Sequence, residues 1–217
     1  MIKAVIFDMD GLMIDSERVT FEGYQEVLKE LSLTMSEEFY KSLLGKPIRD
    51  IHQRFYDVYG KDFPVEDVIK KVHLYMEKRF INEGVPVKQG LIELLQYLQS
   101  HNYKTIVATS SHRNRVDQIL SLANITQYFD DSICGDEVTK GKPNPEVFLK
   151  SCEKLSVDTS QAIVLEDSEA GIQAAYSAHI PVICIPDMKY PEENYANKTT
   201  KILSSLDQVI DYLKENA

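Results

Sequence analysis

The chain has 217 residues, enough for one large domain or for a domain with a sizeable insertion. Hydrophobic residues make up 43% and charged residues 27%, a globular composition that excludes a disordered chain. The 24 Lys and Arg against 34 Asp and Glu give a net charge of −10, which argues against binding to nucleic acids or anionic membranes. Such a chain can handle anionic substrates only through a local cationic or metal site.

The cysteines and the N-terminal segment indicate the compartment. Cys134, Cys152 and Cys184 form no CxxC pair, and their odd number favours reduced, buried thiols. The apolar run before Asp8 has only four residues, Ala4 to Phe7, whereas a secretory signal needs roughly 7–15. Because no later run approaches the roughly 18 apolar residues of a membrane span, we expect a soluble, cytoplasmic protein.

The first predicted element is a strand at Ile2–Phe7, and a long helical stretch follows it. Residues 15 to about 85 contain no convincing strand. Their helical patterns are a stripe at Tyr24, Val27, Leu28 and Leu31, and the stretches Glu37–Leu44, Arg49–Tyr59 and Val65–Phe80. We interpret residues 15–85 as a small all-helical cap domain inserted after the first strand.

From about residue 88 onward, predicted helices and strands alternate. The strands are Lys104–Thr109, Ser132–Cys134, Ala162–Leu165, Val182–Ile185 and Lys201–Leu203. Several are almost continuously hydrophobic, as expected for central parallel strands covered on both faces. Helical spacing recurs between them, as at Leu91, Leu94, Leu95 and Leu98, and Asn144-Pro145 predicts a helix start. The alternation predicts an α/β fold with a doubly wound parallel (Rossmann-like) sheet, formed by residues 1–14 and 86–217.

Polar side chains follow four of the predicted strands, at the end of the sheet where ligands bind in open α/β folds. They are Asp8 and Asp10 after the first strand, Ser110 and Ser111 after the second, Lys142 beyond the third, and Glu166 and Asp167 after the fourth. Taken singly, each has an ordinary structural explanation, such as helix capping or a solvated lysine. Together they place carboxylates, a hydroxyl and a lysine at one rim.

This combination has a chemical reason. Clustered carboxylates repel one another unless a hard cation lies between them, and a few carboxylates together with substrate oxygens suit Mg²⁺. A lysine and a hydroxyl beside such a metal make a phosphate clamp. The rim therefore predicts a magnesium site that handles a phosphorylated ligand.

These residues also form a recognisable set of motifs. Asp8-Met9-Asp10-Gly11, the Ser110 position, Lys142-Pro143 and the stretch from Glu166 to Gly171 resemble the four motifs of the haloacid dehalogenase-like hydrolases, in the family's order. The chain is most similar to the group of β-phosphoglucomutase-like phosphatases that carry a helical cap after the first strand. The resemblance covers the whole chain.

The resemblance implies a role for each motif residue. Asp8 would be the nucleophile that forms an aspartyl-phosphate, and Asp10 the general acid and then the general base. Mg²⁺ would be held by Asp8, the main-chain carbonyl of Asp10 and Asp167, with Glu166 close by or one layer further out. Ser110 and Lys142 would bind the oxygens of the transferring phosphoryl group.

The implied function is a Mg²⁺-dependent phosphatase that hydrolyses a small phosphorylated metabolite, a sugar phosphate being the first expectation. We expect a monomer or weak dimer with no nucleic-acid or membrane partner. A non-enzyme alternative is a phospho-receiver-like or catalytically silent binding protein. Receivers are much shorter and carry the acceptor Asp on a middle strand, whereas Lys104–Thr109 is followed by serines here. All the chemical residues are present, which weighs against a silent protein.

A second alternative is a β-phosphoglucomutase-type hexose-phosphate mutase. In the mutases that the chain resembles, the first cap helix carries a His where this chain has Thr20. Their cap loop places an Arg three residues after its Gly; after Gly45 that place is Ile48, with Arg49 one position further on. These departures favour hydrolysis over phosphoryl return to a sugar.

Overall fold

The computed structural model describes residues 1–216, which form a single six-stranded sheet and its helices. The strands are β1 Ala4–Phe7, β2 Lys104–Ala108, β3 Asp131–Ile133, β4 Ala162–Glu166, β5 Val182–Cys184 and β6 Lys201–Ile202. Every neighbouring pair is parallel, in the order β3-β2-β1-β4-β5-β6. The predicted α/β fold with a doubly wound parallel sheet and a helical insertion after the first strand is confirmed.

The order of the strands reverses beside β1. The chain builds β2 and β3 outward on one side of β1, and then β4, β5 and β6 on the other side. Phe7 lies next to Val107 of β2 and Leu165 of β4, so the residues that follow these three strands meet at one edge. Such a reversal opens a crevice at the carboxyl ends of the strands.

Helices surround this sheet and also form the insertion. They are α1 Ser16–Glu30, α2 Glu37–Leu43, α3 Ile48–Tyr59, α4 Val65–Glu83, α5 Leu91–Ser100, α6 Arg113–Leu122, α7 Glu146–Leu155, α8 Glu169–Ser177, α9 Glu193–Ala196 and α10 Gln208–Glu215. One hydrophobic cluster joins the sheet to α7 and α8 through residues such as Ile6, Ile106, Val164, Phe148 and Ile172. All four side chains of β1 are fully buried, as expected for a central strand.

The element boundaries differ from the predicted ones by one to three residues, the largest difference being at the end of α4, which reaches Glu83 instead of Phe80. β4 extends to Glu166, because Ile185 N donates to the carbonyl oxygen of Glu166 at 2.8 Å and prolongs the ladder. α7 begins at Glu146 with Pro145 as its cap residue, although the side chain of Asn144 still accepts from Glu146 N at 3.1 Å. The side chain of Asn144 therefore still binds the start of the helix as predicted, although α7 begins one residue later than predicted.

The helical insertion forms one compact unit, Ser16–Gly84, with an aromatic core. Phe55 is fully buried, and its ring stacks on that of Phe63 with centroids 5.4 Å apart. The prediction that Leu31 belongs to the buried stripe of α1 is wrong. The helix ends at Glu30, the backbone of Ser32 takes a left-handed turn, and Leu31 is 41% exposed.

The second compact unit contains the sheet and runs over Met1–Asp15 and from Val85 to the end of the described chain. Within it, the two segments that flank the insertion pair with each other. Asp15 N donates to Pro86 O at 2.9 Å, and Lys88 N donates to Met13 O at 2.9 Å. The three cysteines are free, buried thiols, and no helix within residues 1–216 is long and apolar enough to cross a membrane.

Candidate active site

The candidate site lies where the strand order reverses. Asp8 follows the last residue of β1, and Glu166 is the last residue of the neighbouring β4. Lys142 reaches the same point from the loop before α7. The three side chains are almost completely buried: Lys142 is 5% exposed, Asp8 10% and Glu166 1%.

Lys142 joins the two carboxylates. Its Nζ lies 2.6 Å from Oδ1 of Asp8 and 2.7 Å from Oε1 of Glu166, and it donates to the carbonyl oxygen of Ala108 at 3.0 Å. An ammonium group has three N–H donors, and three acceptors surround this one. The ring of Phe148 lies under it, with 4.9 Å between Nζ and the ring centroid. The lysine is therefore held as a fixed, buried cation.

Burial and charge together raise the pKa of both Asp8 and Lys142, although the two effects oppose each other at each group. Burial raises the pKa of Asp8, and the nearby Glu166 raises it further, while Lys142 opposes the shift. Burial lowers the pKa of Lys142, but the charges of Asp8 and Glu166 outweigh it, so the pKa stands above its usual range. Lys142 is accordingly a permanent cation at physiological pH.

The second oxygen of Glu166 binds the start of α8. Oε2 accepts from Asp167 N at 2.8 Å, Ser168 N at 2.7 Å and Ser168 Oγ at 2.9 Å. Ser168 in turn caps the helix, because its Oγ accepts from Gly171 N at 3.1 Å. A Cβ on Gly171 would overlap Oε1 of Glu166, so only a glycine leaves room for this carboxylate. The Gly of the fourth motif thus has a steric explanation.

Asp167 completes an acidic group with Asp8 and Glu166. Each of the three offers a carboxylate oxygen, and these oxygens lie within 4.8 Å of one another. Gly11, with a φ of 85°, makes room for Asp167, since a Cβ there would overlap its Oδ2. Three clustered carboxylates are hard oxygen donors, and this set fits a divalent cation such as Mg²⁺.

The side chain of Asp10 lies apart from that acidic group. Its Oδ2 accepts from Ser111 Oγ at 2.7 Å, and its Oδ1 accepts from Arg115 at 2.7 Å. Both partners follow β2, in the loop before α6 and in the first turn of that helix. Sequence reasoning named Ser111 but missed Arg115. No local signal in the sequence identifies Arg115, because it is an ordinary surface residue type that lies 105 positions from Asp10.

Ser110 lies on the rim of a small cavity next to Lys142. The cavity has a volume of about 80 Å³ and is lined by Thr109, Ser110, Gly135, Val138, Gly141, Lys142 and Val147. A Cβ on Gly135 would overlap the carbonyl oxygen of Ser110, so the loops after β2 and β3 touch here. An ammonium group, hydroxyl groups and backbone groups thus surround a cavity whose small volume suits a compact anion such as a phosphoryl group.

A buried lysine and an acidic cluster lie at the switch point, the place beside β1 where the strand order of the parallel sheet reverses. This combination defines an α/β protein suited to metal-assisted phosphoryl chemistry. Comparison with known proteins agrees with this class. A family profile described as haloacid dehalogenase-like hydrolase matches residues 5–185. The chain therefore belongs to the haloacid dehalogenase-like hydrolases.

Individual relatives are of the same kind. A phosphorylated carbohydrates phosphatase of Thermotoga maritima is 33% identical over 178 residues, which cover 82% of each chain. A validoxylamine A 7'-phosphate phosphatase of Streptomyces hygroscopicus is 31% identical, covering 83% of this chain and 84% of the relative. Among solved structures, a β-phosphoglucomutase candidate from Thermotoga maritima has 28% identity and a TM-score of 0.83, with both chains covered completely. The prediction of a phosphoric monoester hydrolase is confirmed.

Proposed function

We propose that the chain hydrolyses a small sugar phosphate in two steps through an aspartyl-phosphate on Asp8. The observation that carries this proposal is the buried lysine between Asp8 and Glu166 at the switch point. A permanent cation beside a strand-end carboxylate prepares that carboxylate to receive a phosphoryl group, whose negative oxygens the cation stabilises.

In the first step, a carboxylate oxygen of Asp8 attacks phosphorus, and the bond to the leaving oxygen breaks. Asp10 gives its proton to that oxygen as the general acid. In the second step, Asp10 takes a proton from water, and the water oxygen attacks phosphorus, which frees inorganic phosphate and restores Asp8. The side chain of Asp10 is 28% exposed, so its carboxyl can exchange partners between these steps.

Lys142 and Ser110 bind the oxygens of the transferring phosphoryl group in this proposal. Mg²⁺ would be held by Asp8, the main-chain carbonyl of Asp10 and Asp167, with Glu166 adjacent. Bound there, it would neutralise negative charge on the phosphoryl oxygens. Because Glu166 accepts bonds from both Lys142 and the start of α8, we assign it the task of fixing Lys142 and Asp167 in place.

The relatives support the proposed substrate class. Their names refer to phosphorylated carbohydrates and to validoxylamine A 7'-phosphate, which are small phosphorylated molecules. We further propose that residues 1–14 and 86–217 form the catalytic core and residues 15–85 a cap domain. The protein would act in the cytoplasm as a monomer or weak dimer, without a nucleic-acid or membrane partner.

The test is an assay of released phosphate over a panel of phosphorylated sugars, polyols and nucleotides with Mg²⁺ present. We expect turnover to be highest on sugar or polyol phosphates. Asp8→Asn keeps the shape of the side chain but removes the nucleophile, so kcat should fall by more than about a thousandfold. Thermal unfolding and circular dichroism of this variant should match the wild type. Substantial turnover by a well-folded Asp8→Asn protein would refute the mechanism.

A mutase is the second candidate, favoured by the solved structure of a β-phosphoglucomutase candidate. Two positions weigh against it. Thr20, at the place of the mutases' His, donates its hydroxyl to Ser16 O at 2.7 Å and has no group that exchanges protons near neutral pH. Ile48 stands at the place of their Arg, and its side chain, although 60% exposed, cannot bind a phosphate.

A further inference from the structure

The loop that carries Lys142 has no regular structure between the 3₁₀ turn at Gly135–Glu137 and α7. One carboxylate in the first turn of α7, that of Glu146, accepts hydrogen bonds from the backbone of this loop. Oε1 of Glu146 accepts from Thr139 N at 2.9 Å, and Oε2 accepts from Thr139 Oγ1 at 2.6 Å and from Lys140 N at 3.0 Å. Lys150, one turn further along the helix, pairs with Oε1 at 3.0 Å.

The loop is also fastened on the far side of Lys142. Asn144 N donates to Gly141 O at 3.0 Å, and the Asn144 side chain accepts from Glu146 N at 3.1 Å. The same helix supplies Phe148, whose ring lies beneath the ammonium group of Lys142. The start of α7 therefore holds the backbone before Lys142, the backbone after it and the end of its side chain.

We propose that Glu146 is a positioning residue, which sets Lys142 for phosphoryl binding by ordering the loop from Thr139 to Asn144. The inference rests on the proposed function, in which Lys142 binds the phosphoryl oxygens. Hydrogen bonds from Thr139 and Lys140 order this backbone when the chain folds. The conformational entropy of this loop is therefore already lost before substrate binds, and it does not weaken substrate binding.

The charge of Glu146 suits this task. The hydrogen bonds from Thr139, the ion pair with Lys150 and the bond from Lys140 N lower the pKa of Glu146 to about 2. Its carboxyl is therefore anionic at any pH used for an assay and offers only acceptors to the loop. A glutamine of the same size cannot accept at both ends, because its amide nitrogen would face an N–H donor.

The first test measures kcat/KM for the best substrate, and the inhibition constant of inorganic phosphate, in three variants. Glu146→Gln should lower kcat/KM about tenfold and weaken phosphate binding by a similar factor. Thr139→Val removes one donor without touching α7 and should lose about threefold. Glu153→Gln, an exposed position on the same helix, is the matched control and should behave as the wild type. Wild-type kinetics in folded Glu146→Gln would overturn the proposal.

A double-mutant cycle separates positioning from a general structural role. Lys142→Met removes the group through which Glu146 is proposed to act. In that background, Glu146→Gln should weaken phosphate binding by less than about twofold, because the positioned ammonium is already gone. A loss as large as in the wild-type background would show that Glu146 acts on something other than Lys142, and the proposal would fall.

Hydrogen exchange makes failure of this inference distinguishable from failure of the proposed function. The backbone amides of Thr139 and Lys140 should exchange at least about tenfold faster in Glu146→Gln than in the wild type, whether or not the protein is a phosphatase. Unchanged exchange of these amides would refute the ordering role. Faster exchange in Glu146→Gln, together with a wild-type protein that turns over no substrate of the panel, would instead refute the proposed function and leave the ordering role intact.

Discussion

The smallest unit of this site is a single lysine that bridges two buried carboxylates. Lys142 touches Asp8 and Glu166 at 2.6 and 2.7 Å, and removing Lys142 would leave these two carboxylates buried without their cation. The arrangement depends on residues that carry no charge themselves. Glycines beside Glu166 and Asp167 leave the space into which these carboxylates fit.

Gly171 offers a sharp test of this dependence. Replacing an interior helical glycine by alanine ordinarily stabilises a protein by up to about 1 kcal/mol. In Gly171→Ala the new methyl group would overlap the Glu166 carboxylate, so we expect a loss of about 2–4 kcal/mol in the free energy of unfolding. Urea denaturation measures this change, and turnover should fall more than about tenfold because Lys142 loses a partner.

Gly141→Ala is the matched control for that experiment. A Cβ at Gly141 meets no atom within 4 Å, so this substitution should change the free energy of unfolding by no more than about 0.5 kcal/mol. Equal stability of Gly171→Ala and the wild type would show that the Glu166 carboxylate is free to move. The explanation given for the fourth motif would then be wrong.

The acidic group makes a prediction about metal dependence. Asp167→Asn removes one charge from three carboxylates whose oxygens lie within 4.8 Å. The Mg²⁺ concentration for half-maximal activity should rise at least about tenfold, while Ca²⁺, with its looser coordination, should inhibit the wild type. Titration calorimetry measures the dissociation constant of Mg²⁺ without turnover, and this constant should rise as well. Asp211→Asn, an exposed position on α10, should leave it unchanged. An unaltered Mg²⁺ requirement in Asp167→Asn would move the ligand role to Glu166.

At the scale of elements, the parallel sheet explains why the site could be predicted at all. Continuous runs of buried residues, as in β1 and β4, specify parallel strands, and the carboxyl ends of such strands meet at one edge. Sequence position therefore predicts that Asp8 and Glu166 lie at the same edge of the sheet. Lys142 was predicted as a phosphate ligand, from its place in the third motif of the family that the chain resembles, and its position between the two carboxylates was not predicted.

Other features of the site depend on tertiary contacts that no local pattern encodes. The pairing of Asp10 with Arg115 joins residues 105 positions apart, and both are ordinary surface types. In the sequence, Glu146 cannot be told from any acidic residue in the first turn of a helix, so its bonds to the loop that carries Lys142 could not be predicted. The sequence did not predict that α1 ends before Leu31. Helices commonly end at a glycine in the left-handed conformation, but here Ser32 takes that conformation, so no glycine marks the end.

The loop before α7 also predicts how stability depends on pH. The folded pKa of Glu146 is lowered from 4.5 to about 2, so its contribution is complete above about pH 4.5. It is lost as the pH falls from there towards 2. The difference in free energy of unfolding between wild type and Glu146→Gln should be constant above about pH 5 and shrink below it. Denaturation from pH 3 to 7 measures this, and Glu153→Gln, an exposed position on the same helix, is the control variant. A difference independent of pH would contradict the depressed pKa.

The whole molecule is strongly acidic, with a net charge of −10, yet its proposed ligand is an anion. Long-range attraction therefore does not bring the substrate to the site, and recognition depends on local cations. Lys142 and the proposed metal ion supply these at the switch point. In the proposed mechanism, we expect residues outside the sheet to decide which phosphoryl acceptor completes the reaction, water or a sugar hydroxyl.

The final prediction concerns that choice. A mutase must keep its aspartyl-phosphate from water until a sugar hydroxyl arrives, and it needs residues that link proton transfer to sugar binding. Thr20 cannot take part in proton exchange near neutral pH, and Ile48 cannot hold a distal phosphate, although Arg49 follows it. Incubation with β-glucose 1-phosphate, a bisphosphate activator and Mg²⁺ should therefore release inorganic phosphate without accumulation of glucose 6-phosphate.

Two variants place that result on the named residues. Thr20→His and Ile48→Arg, alone and combined, introduce the groups that the mutases carry at these positions. If these groups control the fate of the aspartyl-phosphate, the double variant should hydrolyse it more slowly, as rapid-quench measurement of the phosphorylated protein would show. Glucose 6-phosphate formed by the wild type well ahead of free phosphate would identify a mutase, and Thr20 and Ile48 would then have no bearing on the outcome.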